Sequence, residues 1–393
     1  MSAIHRTTLF SYGFRPFFLA AGLYAAISIP AWILILLTDL QPLGEMPPSL
    51  WHAHEVLFGF VAAAVGGFLL TAVPSWTGSR GFAGIPLLVA ALAWLAGRVA
   101  FALAYTLPLP LVASVELLFL PVIAALIAPP ILRERNRNVA MLGVLALLWL
   151  TDAAFLFALY QQDPLAASRS LGVAINVILL LITIIGGRIV PAFTGNALRQ
   201  SQVPVSLRSF KPIERVLPAV MLSIILIDAT IPGGSLALAV AALAAILHSV
   251  RLSGWRGLRV TDTPIVWVLH LAYLWLPIGF LLKAVFIATG AAWAQWWQHA
   301  FGIGVFALMI LAVMTRATLG HTGRPLVVRP AIAVAYLLVA AAAVARIAAP
   351  ILWPSHYQQV LIVVATLWTL GFLVFVAIYG PILLRPRLDG KPG

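Results

Sequence analysis

A chain of 393 residues that is 63% hydrophobic and only 9% charged, with a mean hydropathy of +1.06, is not a soluble globular protein, in which about a quarter of residues are charged. So much apolar side chain needs a bilayer, where each crossing helix takes about 20 residues. The absence of cysteine excludes disulfides, thiolate-ligated haem, iron-sulfur clusters, zinc-thiolate sites and covalent c-type haem, so any metal must be held by His, carboxylate or Met. The net charge of +13 is a topology signal, not the basic face of a nucleic-acid binder.

Apolar runs bounded by Pro, Gly and charge fall at 17–38, 51–74, 85–105, 108–130, 138–160, 170–193, 212–230, 235–251, 264–288, 293–318, 330–351 and 357–383. They predict an all-α polytopic protein of about twelve transmembrane helices in one domain, 1–393. With the N-terminus inside, nineteen of the 24 basic residues, from Arg6 to Lys391, fall in inner segments, and Arg169 is the only basic residue of the outer loops. That bias predicts two cytoplasmic termini. The first run is too long for a signal peptide and lacks a small-residue cleavage site, so it reads as a retained span.

Spans 2, 6 and 10 each close on Thr-Gly, at Gly78, Gly195 and Gly323, which lie 117 and 128 residues apart. This period is that of four short-looped spans and suggests repeat units 1–135, 136–255 and 256–393. Helix termination by glycine explains the pattern equally well.

Ionisable groups inside a span are costly unless paired, and so mark functional sites. His52, His54 and Glu55 open span 2, Arg98 lies in span 3, Glu116 in span 4, Asp152 in span 5, Lys283 in span 9, His299 in span 10 and Arg346 in span 11. Counting ~1.5 Å per residue, His299, Glu116 and Asp152 sit roughly 9–12 Å below the outer ends of their helices, which predicts one buried polar site. His52 and His54 are two residues apart and diverge on a regular helix, whereas His52 and Glu55 share a face, so that Glu55 can orient His52. His52 or His54 can meet His299 across the bundle as a haem-ligating pair, against the plainer readings of an interfacial belt and of a structural histidine. Arg98 fits a haem propionate or a bridge to Glu116 or Asp152. Toward the cytoplasm, His270 is deep enough to be a ligand, His321 suits ligation or packing, and His248 beside Arg251 reads as interfacial, as does His356 at the other side.

LFSYGFRPFF (Leu9 to Phe18), WHAHEVLFGF (Trp51 to Phe60), GFLLTAVPSWTG, LAGR (Leu95 to Arg98), GGRIVPAFT, VLHLAYLW, QHAFG and VMTRATLGHTGRP together resemble the NnrS family, over nearly the whole chain. The resemblance implies a bacterial inner-membrane protein containing haem and copper, associated with denitrification and protection against nitric oxide. It points to His52, His54, His270, His299 and His321 as metal-ligand candidates without dividing them between iron and copper. The helix count and the histidines of spans 2 and 10 also look distantly like the catalytic subunit of haem-copper oxidases, although this chain has no adjacent His-His pair and no histidine in spans 6 or 7. The leading expectation is a haem b protein, copper being less secure, that binds nitric oxide or reduces it with an unidentified electron donor. Glu55, Glu116 and Asp152 would carry protons. The competing expectations are a twelve-helix secondary transporter and a sensor or assembly factor that holds haem or copper without turnover.

Overall fold

The computed structural model describes residues 8–38, 40–202 and 206–390, so Arg6 and Lys391 lie outside the described residues. Among the described residues there is no strand, and twelve long helices follow in order. These are α1 (Phe14–Thr38), α2 (Pro48–Thr77), α3 (Ile85–Ala102), α4 (Leu109–Arg133), α5 (Arg137–Tyr160), α6 (Pro164–Gln200), α7 (Lys211–Thr230), α8 (Gly234–Arg259), α9 (Pro264–Thr289), α10 (Ala292–His321), α11 (Pro330–Leu352) and α12 (Pro354–Leu383). All but α7 are long and apolar enough to cross a membrane. Helix α7 carries Glu214, Arg215 and Asp228, and two of these charges are matched by Arg251 of α8 and Lys283 of α9.

Proline in the first turn opens α2, α3, α4, α7, α9 and α11, where its missing N–H costs nothing. Gly78 and Gly323 follow α2 and α10 at φ +67° and +70°, the left-handed stop that glycine adopts without strain. Gly195 differs, because α6 runs on through it to Gln200, seven residues beyond the expected end of span 6.

Helices α2 and α10 share a further feature that hydropathy does not reveal. Each contains a π-helical stretch, Glu55–Val61 and Ala300–Ala307, and each stretch begins directly after a histidine, His54 and His299. Each histidine also stands 24 residues ahead of its left-handed glycine (54 to 78, and 299 to 323). A π stretch inserts a residue into the α repeat and re-aims the side chains that flank it, and such insertions are frequent at functional sites.

The helices form two compact units. The first comprises residues 1–174, 314–326 and 372–393, and the second 175–313 and 327–371. These boundaries differ from those of the four-helix units, which rest on sequence alone. In the first unit the Gly66-Gly67 pair lets α2 approach its neighbours, since a Cβ at Gly66 would come within 2.9 Å of Phe119 and one at Gly67 within 2.8 Å of Phe17. The fully buried Arg15, at the start of α1, donates from one guanidinium nitrogen to the carbonyls of Leu383 and Arg385, each at 2.8 Å, and so caps the end of α12.

Candidate functional site

Four helices of the first unit bring five ionisable side chains to one level. His54 and Glu55 lie two turns into α2, Arg98 one turn before the end of α3, Glu116 two turns into α4 and Asp152 two turns before the end of α5. None is more than 6% exposed. His54 Nε2 lies 3.0 Å from Asp152 Oδ1 and 3.8 Å from Glu116 Oε1, and its Nδ1 lies 3.5 Å from Glu55 Oε1. Arg98 spreads its fork between two acids, donating to Glu55 Oε1 at 2.5 Å and to Glu116 Oε1. Gly97 makes room for this, because a Cβ there would stand 2.7 Å from Glu116 Oε2.

The charges do not close. Three carboxylates against one guanidinium leave an excess of two negative charges when the imidazole is neutral, in a setting where uncompensated charge is costly. Two protons or one divalent cation restore neutrality. The spacing suits the cation, since one nitrogen of His54 and one oxygen each of Glu116 and Asp152 lie within 4.8 Å of one another. One imidazole with two carboxylates is a donor set for borderline or hard divalent metals and not for copper(I). Glu55 Oε2, Glu116 Oε2 and His54 Nδ1 are buried without a hydrogen-bond partner.

Haem does not fit this seat. The His54 ring is packed against Phe101, Phe155 and Phe58 at centroid distances of 3.9, 4.8 and 4.9 Å, and both of its nitrogens face carboxylates. The hollow beside it, lined by Phe58, Trp94, Arg98, Glu116 and Asp152 among others, has room for about one water molecule. Arg98 is engaged by Glu55 and Glu116, so its guanidinium is committed to a helix bridge and not to a propionate, and Asp152 goes to His54 instead.

The other candidate histidines take separate places. His52 stacks on Trp32 (4.8 Å, 10°), so Glu55 orients His54 and Arg98 rather than His52. His321 packs on Tyr12 and Phe14 at the start of α1, while Trp32 lies 18 residues further along that helix, or about 27 Å. His52 and His321 therefore cannot share an ion. His299 belongs to the second unit, as do Lys283 and Arg346, so depth along the helix does not by itself group them with the His54 cluster. His356 is exposed.

The second unit has a polar centre that a depth reading takes for interface. His248 is fully buried, with Nδ1 2.7 Å from the Tyr273 hydroxyl and the ring stacked on Phe280. Arg251 donates to the carbonyl of Thr183, to Tyr273 Oη at 3.0 Å and, through two nitrogens, to both oxygens of Glu214. His270 Nε2 lies 2.8 Å from Thr194 Oγ1. In both histidines the other nitrogen, Nε2 of His248 and Nδ1 of His270, is buried with no hydrogen-bond partner. An imidazole oriented through one nitrogen, with the second left free, is the arrangement of a metal-ligating histidine. A second ion pair, Lys283 with Asp228, is supported by Asn176, which donates to the same Asp228 oxygen at 2.7 Å.

A family model described as NnrS protein matches residues 8–387. The chain belongs to the NnrS family. No curated protein matches it. Four of the eight segments that carry the NnrS resemblance supply residues to the two centres: WHAHE supplies His54 and Glu55, LAGR supplies Gly97 and Arg98, GGRIVPAFT supplies Thr194, and VLHLAYLW supplies His270 and Tyr273. Glu116, Asp152, Glu214, His248 and Arg251 complete those centres from outside the motifs.

Proposed function

We propose that this NnrS-family membrane protein binds nitric oxide and protects against it through metal held in buried centres, in the cytoplasmic membrane with both termini inside. The carrying observation is the His54–Glu55–Arg98–Glu116–Asp152 cluster, whose two uncompensated negative charges call for a divalent ion among groups already spaced as ligands. Copper(II) is the ion that family membership suggests, with His54, Glu116 and Asp152 as its donors. Haem b would take its nitrogen donors from His248 and His270 in the second unit, each held by a hydroxyl through its other nitrogen. When bound, haem would supply a redox-active iron that nitric oxide could coordinate in place of one of the two imidazoles. Around the first centre, Glu55 offers its free Oε2 as a proton acceptor, Arg98 fixes the orientation of Glu55 and Glu116, and the three phenylalanines keep bulk water from the imidazole.

Metal and haem contents of the purified protein, with a nitric oxide titration followed in the visible spectrum, test this reading. Asp152→Asn and Glu116→Gln are expected to lose the divalent metal and keep the haem absorption, whereas His248→Ala and His270→Ala are expected to lose haem and keep the metal. Folded Asp152→Asn protein with unchanged metal content would move the ion elsewhere. Wild-type protein with no Soret band and no spectral response to nitric oxide would overturn the haem half.

A further inference from the structure

The counterpart of His54 in the second unit is His299, which stands at the same distance from its left-handed glycine and likewise opens a π stretch. In the first unit the next residue is Glu55, an acceptor for Arg98; in the second it is Ala300, which accepts nothing through its side chain. The arginine nevertheless recurs. Arg346 lies in α11, six residues or about 9 Å before the helix end, and is 6% exposed.

The surroundings of Arg346 are aromatic and not acidic. Its guanidinium carbon sits 4.1 Å from the ring centroid of Trp296 and 5.6 Å from that of Tyr357, and one terminal nitrogen donates to Tyr357 Oη at 3.1 Å. Among the described residues no carboxylate lies within ion-pair distance of it. The other terminal nitrogen is buried with no hydrogen-bond partner. Arg98, Arg251 and Lys283, buried in the same kind of setting, each face an acid. Guanidinium does not escape the problem by losing its proton, and aromatic faces offset only part of the cost of burying its charge.

We propose that Arg346, Trp296 and Tyr357 form a binding site for a singly charged oxyanion. The unpartnered guanidinium N–H and the Tyr357 hydroxyl, whose oxygen is already accepting and whose proton is free, offer two donors to two oxygens of one anion. Trp296 covers the face of the cation, and access is from the end of the unit, where Trp353 is 57% and Tyr357 37% exposed. A depth of about 9 Å below the helix end suits both the phosphodiester of a lipid headgroup and a small anion entering from water.

The test uses full-length protein in neutral phosphatidylcholine discs, in discs containing phosphatidylglycerol, and in neutral discs titrated with sodium nitrite or inorganic phosphate, read by melting temperature and tryptophan fluorescence. A rise in melting temperature with phosphatidylglycerol that Arg346→Gln abolishes assigns the lipid phosphodiester. A saturable response to nitrite or phosphate in neutral discs, abolished by the same substitution, assigns the small anion. Tyr357→Phe removes one donor and keeps the charge, and should weaken either response about tenfold, which keeps the test open if Arg346→Gln does not fold. Responses equal in wild type and both variants, or absent from all, overturn the proposal.

Discussion

Removal of the Arg98 charge is the sharpest perturbation of the first centre. Arg98→Gln deletes two charge-assisted hydrogen bonds, to Glu55 and Glu116, and raises the local excess from two negative charges to three. Each such bond contributes about 1.5–3 kcal/mol, and breaking a buried pair from one side costs about 3–5 kcal/mol, so a loss of about 4 kcal/mol is expected. Adding Glu116→Gln should recover part of this, because a partnerless carboxylate is then removed as well, while Glu55 continues to face the gap. The geometry predicts coupling of Arg98 with Glu55 and with Glu116, each above about 1 kcal/mol, and little with Asp152, which bonds His54 instead. Thermal unfolding of the single and double variants in detergent, with divalent metal present and absent, measures all three couplings. Metal should also stabilise Arg98→Gln by more than it stabilises wild type, because the ion then offsets a larger charge. A neutral Arg98→Gln, or a coupling to Asp152 as large as that to Glu116, would refute the charge balance on which the proposed ion rests.

Gly97→Ala should destabilise the fold by about 1–3 kcal/mol and lower metal content, since its Cβ would stand 2.7 Å from Glu116 Oε2; chelation and metal analysis of the variant check this. His54→Ala should abolish divalent-metal binding whereas His52→Ala, which loses a stack on Trp32, should leave it intact, and equal loss in both would show that the pair acts as one site. A reporter fused after residue 393 should be active only in the cytoplasm, as the placement of nineteen basic residues requires, and periplasmic activity would reverse the topology.

Hydropathy located the helices well because the bilayer imposes both length and composition on each of them, and the twelve runs correspond one to one with α1–α12. Depth along a helix is likewise written in residue counts, so Glu116 and Asp152 are legible as occupants of one level, but the same count also takes in His299, which belongs to the second unit. Azimuth is not written there. Whether Arg98 turns to Glu55, Glu116 or Asp152 depends on how four helices are rotated, and the π stretch after His54 changes that rotation without an apolar signature. The same gap explains His248. Its position near the end of α8 reads as interfacial, but Tyr273, Phe280 and the Glu214–Arg251 pair enclose it through tertiary contacts between α7, α8 and α9. A signal was present in Glu214 and Asp228 of α7, two acids that pair with cations on neighbouring helices although Lys211 and Arg215 share their own helix.

The first unit is assembled from three stretches of chain, the last of which begins at residue 372, and Arg15 donates to carbonyls at Ile382, Leu383 and Arg385. During synthesis α1 therefore enters the membrane with a guanidinium whose carbonyl partners are still about 370 residues from being made. Until the ribosome delivers them, those bonds cannot form, and α1 and α12 are fastened to each other only after the helices between them have been made. Loss of the segment after Ile382 would thus be felt at the start of α1, where Arg15 would lose two of its carbonyl acceptors.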